Sequence, residues 1–180
     1  MPLTEWAHLL GLVPLLWLVL SGRRHPAAWW WLAAAYGISF LADSAAHWLN
    51  PDIVGNLYPL SQAAIIGLVL LPRQDAAHFL GLLMVTSVVA LGWQGPTGRD
   101  VLLRTVAWGG VVGMAWITTG PGRSALLVSF GLGLLAWWCY AVDPGWATWS
   151  EYQALRVVGT VMFCWAASQT APRLAPREAG

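Results

Sequence analysis

The stretch WWWLAAAYGISFLADSAAHWLNPD (residues 29–52) decides the fold. From Trp29 to Leu49 its only charged or imidazole side chains are Asp43 and His47; the rest are small, apolar, aromatic or hydroxyl-bearing. A helix rises about 1.5 Å per residue and a bilayer's hydrocarbon core is about 30 Å thick, so a run of about 20 such residues has the length of a span. The run is closed by Asn50-Pro51-Asp52, because the residue before a proline is pushed out of the helical region. Upstream, SGRRHP (residues 21–26) bounds it with two arginines and a second proline, which predicts a helix over residues 27–49.

The same rhythm repeats along the chain. Apolar runs between breakers predict helices near residues 3–20, 27–49, 53–71, 76–93, 101–119, 124–142 and 152–168. Of the 180 residues, 58% are hydrophobic and 9% charged, whereas a soluble domain needs about a quarter charged to present a hydrated surface. Lipid is therefore the expected solvent for most of the exterior, and fourteen tryptophans suit its interfaces. The expected class is an all-α integral membrane protein, one domain over residues 1–180, a bundle of seven transmembrane helices in an inner (cytoplasmic) membrane.

Arginine placement sets the orientation. With the N-terminus outside and the C-terminus cytoplasmic, Arg23, Arg24, Arg73, Arg123, Arg173 and Arg177 fall inside and only Arg99 falls in an outer loop. The first helix is read as retained rather than as a cleaved signal, since Glu5 precedes it and no basic n-region does. Pro14 is expected to kink it. Gly109 and Gly113 form a small-xxx-small face, and Gly131 and Gly133 thin the sixth helix for close packing. Trp29, Trp30 and Trp31 read as an inner aromatic belt, and Trp137, Trp138, Trp146 and Trp149 as the outer one. An offset near 95 lays YPLSQ (residues 58–62) over YQALR (residues 152–156), the trace of a three-one-three repeat with the fourth helix as linker.

With this topology the ionisable residues collect in the outer half. Glu5, Asp43, Asp52, Asp100, Asp143 and Glu151 lie there, with Arg104 and Arg156 inside predicted helices. By the helical rise Asp43 is roughly 9 Å below the outer end of its helix, Arg104 roughly 5 Å and Arg156 roughly 6 Å. A charge in the bilayer needs a partner, so Asp43 is expected to pair with Arg104 or Arg156. Tyr36, Phe40, Asp43 and His47 form one helical stripe, which lets the Asp43 carboxylate orient the His47 imidazole. Tyr58 and Gln62 share a face of the third helix, and Tyr152, Arg156, Gly159 and Phe163 share one of the seventh. Ser44 lies about 100° round the helix from Asp43, so these residues make no triad.

The expected ligand-binding set is Asp43, His47, Tyr58, Gln62, Arg104, Glu151, Tyr152 and Arg156. Asp43 and Glu151 attract or protonate, the two arginines hold an anionic group, and His47, Tyr58, Gln62 and Tyr152 orient by hydrogen bonds. No cofactor and no metal is expected, because neither HExxH nor CxxC occurs and a Schiff-base lysine is absent. Cys139 and Cys164 lie at different depths in different helices and read as unpaired small hydrophobes. A formal charge of +1 gives no basic surface for nucleic acid. The expected partners are the lipid bilayer, a small-molecule or lipid ligand, and other copies or a membrane complex. Recognition or translocation of a small ligand through an outer polar pocket is the leading reading. A non-catalytic assembly subunit is the first alternative. A membrane-embedded enzyme acting on a lipid or isoprenoid, with Asp43 and His47 as acid and base, is the second.

Overall fold

The structure, a computed structural model, describes residues 7–45, 48, 51–91, 96–117, 121–142 and 150–170. Within its helices the side chains of residues 7, 8, 43, 51–57, 91, 96–100, 117, 140–142, 150 and 170 lie outside that description. Glu5, His8, Asp43, His47, Asp52, Asp100, Asp143, Trp146 and Trp149 are among the residues so left aside.

A 3₁₀ segment (Ala7–Leu12) leads into seven α-helices: α1 (Val13–Leu20), α2 (Ala27–Ala45), α3 (Pro51–Leu70), α4 (Arg73–Leu91), α5 (Pro96–Ile117), α6 (Arg123–Val142) and α7 (Ser150–Thr170). Among the described residues there is no strand. The all-helical expectation holds, with two corrections. The first run is not one kinked helix, because α1 begins at Val13 with Pro14 in its first turn. A proline costs nothing there, since its missing N–H has no intrahelical partner anyway. The second correction is to α5, which starts at Pro96 rather than residue 101. Arg104 is thus eight residues in, about 12 Å from the helix start and not 5 Å. Proline again sets the boundary, and Thr97, Gly98 and Arg99 are carried into the first turns in spite of their polarity.

The packing order forms a ring. The 3₁₀ segment and α1 lie against α2, α2 against α3, α3 against α5, α5 against α6, α6 against α7, and α7 returns to α1. The fourth helix stands outside this ring, on α3 and α5. Exchanging the first three helices with the last three maps each ring contact onto another ring contact. The centre is filled by aromatics: Phe130 and Phe163 have no exposed surface. Phe163 takes Trp29 edge-on at 5.4 Å and Tyr36 at 4.8 Å, and Phe130 takes Trp108 edge-on at 6.4 Å. Trp29 is therefore core, and only Trp30 and Trp31 of the expected inner belt face outward.

Glycine packing differs from the expected pattern. A Cβ at Gly109, Gly113 or Gly131 would meet nothing within 4 Å. The close approach is one residue away: Phe79 of α4 seats its ring against Gly110 of α5 and Gly67 of α3, where added methyls would come within 2.4 and 2.8 Å of ring carbons. Gly133 does act as expected, taking the Trp108 ring at 3.0 Å from a built Cβ. Of the two expected pairs only Gly133 faces a neighbour, so spacing identified the helices that pack but not the contact.

Hydroxyls inside the helices mostly close onto their own chain. Ser39, Ser44, Thr86, Ser87, Thr160 and Ser168 each donate to the carbonyl three or four residues earlier, at 2.7–2.9 Å. Six helices are 19–22 residues long. Among the described residues, no helix is long and apolar enough to cross a membrane. Both cysteines are free, Cys164 buried and Cys139 half-buried.

Candidate functional site

Three helices from the two halves of the ring meet at Trp137 of α6. The Arg104 guanidinium of α5 lies 4.2 Å from the indole centroid, and the Tyr58 ring of α3 lies 5.3 Å from it at 49°. Arg104 is 5% exposed, so its charge is held by this ring and by the groups around it rather than by bulk water. By the helical rise, Tyr58, Arg104 and Trp137 sit about 11, 12 and 8 Å from the same end of the bundle. The cluster is one layer. Trp138, next along α6, faces outward and donates its indole N–H to the Thr105 hydroxyl at 3.1 Å, which fixes α6 against α5.

One helical turn deeper on the Tyr58 face of α3 is Gln62, buried at 4% exposure. Its amide nitrogen donates to the Ala35 carbonyl of α2 at 2.8 Å. Two acceptors cannot face one another, so the nitrogen must be the atom beside Ala35 and Oε1 is left over. Among the described residues, Oε1 has no hydrogen-bond partner. A second such atom lies on the adjacent helix. The Trp108 indole N–H of α5 is buried and also has none among the described residues. Measured along their helices, Gln62 and Trp108 are about 12 and 14 Å from the other end of the bundle. An acceptor and a donor left open at matching depth on packed helices are uncommon, because native interiors pair nearly all such groups. Deeper still, Tyr36 of α2 and Ser129 of α6 share a 2.6 Å hydrogen bond across the ring.

Of the eight residues expected to bind, the structure brings Tyr58 and Arg104 together around Trp137, with Gln62 one helical turn away on the Tyr58 face of α3. Tyr152 is buried, Arg156 is half-buried with its guanidinium 5.8 Å from the Tyr152 ring centroid, and Glu151 is exposed. Tyr152, Gly159 and Phe163 are all buried and Arg156 half-buried, so the expected stripe faces inward. The carboxylate of Asp43 and all of His47 lie outside the described residues, and with them the expected ion pair and acid–base pair. The described part of α2 runs to Ala45, and the expected depth of Asp43 below the end of its helix turns on residues that lie outside the described ones.

The sequence singles out neither Trp108 nor Ser129, and it places Tyr36 on the Asp43 stripe and Trp137 in the interface belt without assigning either to the expected binding set. Trp137 reads as interface belt because the rotational phase of WW at residues 137–138 is ambiguous: one indole faces the ring and the other faces out. Gly133, one turn before Trp137, was the available clue that this face of α6 packs inward. Among the described residues, no three histidine, cysteine or carboxylate groups converge to hold a metal. No protein family, curated protein or solved structure matches the chain.

Proposed function

We propose that the chain is a seven-helix integral membrane protein that recognises or translocates a small ligand through the polar layer formed by Tyr58, Arg104, Trp137 and Gln62. The membrane part is supported by the outer surface. Large apolar side chains are exposed on every helix, among them Leu16 and Val19 of α1, Trp31 and Leu41 of α2, Leu68 of α3, Met84 and Val88 of α4, Trp116 of α5, Leu135 of α6 and Val161 of α7. Exposure on all sides at once far exceeds the isolated patches that water tolerates. The mean hydropathy of a whole helix counts Tyr36, Gln62 and Arg104 equally with these residues, although they face the bundle and lipid meets only the outer face. The back-bonded hydroxyls support the same reading, since a hydroxyl in hydrocarbon must find its partner within the protein.

The single observation that carries the ligand reading is the open pair of Gln62 Oε1 and Trp108 Nε1 beneath Arg104. Polar atoms left open in a core cost stability, and a ligand offering a donor and an acceptor would satisfy both. Arg104 above them favours a ligand that also carries an anionic or π-rich group. The ring arrangement suits movement of such a ligand. Tyr58 against Trp137 and Tyr36 against Ser129 both join the first three helices to the last three, at two different depths. Opening one layer while the other stays closed would expose the centre to one side at a time.

The test has two arms. The full chain, expressed in bacterial cells, should stay in membranes through a carbonate wash; recovery in the soluble fraction without detergent would refute the membrane reading. The purified chain should then be screened by thermal unfolding against small carboxylates, organic phosphates and neutral polyols. At least one anionic solute should raise the midpoint in the parent and not in Arg104→Gln or Tyr58→Leu. Equal responses in parent and both variants would refute the site.

A further inference from the structure

A second surface lies at the opposite end of the bundle from Arg104. A groove of about 660 Å³ runs between the start of α6 and the end of α7. Arg123, Ser124 and Gln169 line its mouth, and Val128, Met162 and Trp165 its floor. From its lining we infer that this groove seats one anionic phospholipid, with the phosphate at Arg123 and an acyl chain along Val128 and Trp165. This inference rests on the membrane reading above but not on the ligand site.

The groove has the polarity profile of a lipid. Arg123 opens α6 and Gln169 is the penultimate residue of α7, so both lie at one end of the bundle. Met162 is seven residues and Trp165 four residues before Gln169, about 11 and 6 Å deeper. The lining thus changes from cationic and polar to apolar over the distance that separates a phosphate from the first part of its acyl chain. Val128 and Trp165 are 45% and 57% exposed, so the floor is open to the outer face, where Leu135 and Val161 continue the apolar surface. A globular polar solute would leave that floor uncovered.

Charge selects the head group. Arg123 is the only charged residue lining the groove among the described residues. It is held in place rather than neutralised, because it donates one N–H to the Trp116 carbonyl and rests 5.5 Å from the Trp116 ring centroid. Guanidinium has five N–H donors, and among the described residues the others remain for phosphate oxygens. Arg23, whose Nη1 donates at 2.7 Å to the carbonyl of Ser168 near the end of α7, brings a second cation to this end of the bundle without lining the groove. Basic pockets between helices on the cytoplasmic side are where anionic head groups dock. The turn itself is built for the approach: Gly122 has φ +85° and packs on the Ala166 carbonyl, which a side chain would block.

The test uses the full chain, delipidated in mild detergent. Phosphatidylglycerol and phosphatidylcholine with identical acyl chains should be titrated while thermal unfolding and the lipid retained in native mass spectrometry are followed. Phosphatidylglycerol should bind more tightly, and Arg123→Gln should weaken it about tenfold or more, the effect of losing a charge-assisted hydrogen bond. Arg123→Gln should weaken phosphatidylcholine much less, because the choline ammonium already offsets the phosphate charge, and Arg73→Gln, outside the groove, should alter neither. Val128→Trp, which fills the floor, should reduce binding of both lipids and covers the case in which Arg123→Gln does not fold. Equal affinity for the two lipids, equal effects of Arg73→Gln and Arg123→Gln, or the same stabilisation by inorganic phosphate alone would each overturn the inference. A chain that resists carbonate yet binds both lipids equally would overturn this proposal while leaving the membrane reading intact.

Discussion

Replacing Gln62 by leucine should make the protein more stable and less functional. The side chain is 4% exposed, donates one 2.8 Å bond to the Ala35 carbonyl, and leaves Oε1 open among the described residues. Leucine removes the donated bond, a loss of about 0.5–1.5 kcal/mol for a neutral pair. The Ala35 carbonyl lies mid-helix in α2 and keeps its intrahelical partner, so no new open acceptor is created. Leucine also removes the open Oε1, whose burial costs about 1–3 kcal/mol, and is close to glutamine in volume. The balance favours Gln62→Leu by about 0.5–1.5 kcal/mol. At about 2–4 °C per kcal/mol for a chain of this size, the midpoint should rise by about 1–6 °C. Tryptophan fluorescence of the purified chain during heating would read this directly. A midpoint lower by more than about 3 °C would refute the reasoning, because it would show that Oε1 holds a structural bond. The same variant should lose the midpoint rise produced by any ligand that stabilises the parent. If it gains stability and keeps the full ligand response, Gln62 is no part of the site.

Adjacent glycines should separate sharply. Gly110→Ala drives a methyl into the Phe79 ring, which Gly67 blocks from the other side, and should cost about 1–3 kcal/mol. Gly109→Ala meets open space and should gain up to about 0.5–1 kcal/mol from helix propensity; thermal midpoints of the two variants measured together decide it. Gly122→Ala combines a left-handed backbone, φ +85°, with a methyl 2.7 Å from the Ala166 carbonyl, and should lower the midpoint or the folded yield as strongly as Gly110→Ala. His25, in the turn before α2, should confer a pH dependence. Partial burial, and then the nearby Arg23, hold its pKa below the ordinary value of 6.5, so the fold favours the neutral ring hydrogen-bonded to Ser21. The unfolded chain binds the proton more readily, so stability is fully present above about pH 6.5 and declines as pH falls toward the folded pKa. Midpoints from pH 8 to 5 should show that decline in the parent and less of it in His25→Gln.

Much of the architecture was legible because helical periodicity and breakers are local. Seven helical runs emerge from apolar stretches and prolines, and the buried stripe of Tyr152, Gly159 and Phe163 follows from 3.6-residue spacing alone. Tyr58, Gln62 and Arg104 were legible as candidate residues because polar side chains stand out against an apolar chain. Boundaries were less so. The polar first turns of α5 and the 3₁₀ segment before α1 depend on how proline starts a helix, which an apolar run does not reveal.

What the sequence determined by itself is therefore the helical class, the number of helices and the residues able to carry polar chemistry. These follow from spacing and composition within twenty or so residues. The ring order with α4 outside it, the seating of Phe79 between Gly67 and Gly110, the meeting of Tyr58, Arg104 and Trp137, and the acceptor left open on Gln62 were decided only in the tertiary structure. Each depends on the rotational phase of one helix against another. That phase is fixed by the packing of whole side chains across an interface, and neighbouring residues such as Gly109 and Gly110, or Trp137 and Trp138, differ in nothing else.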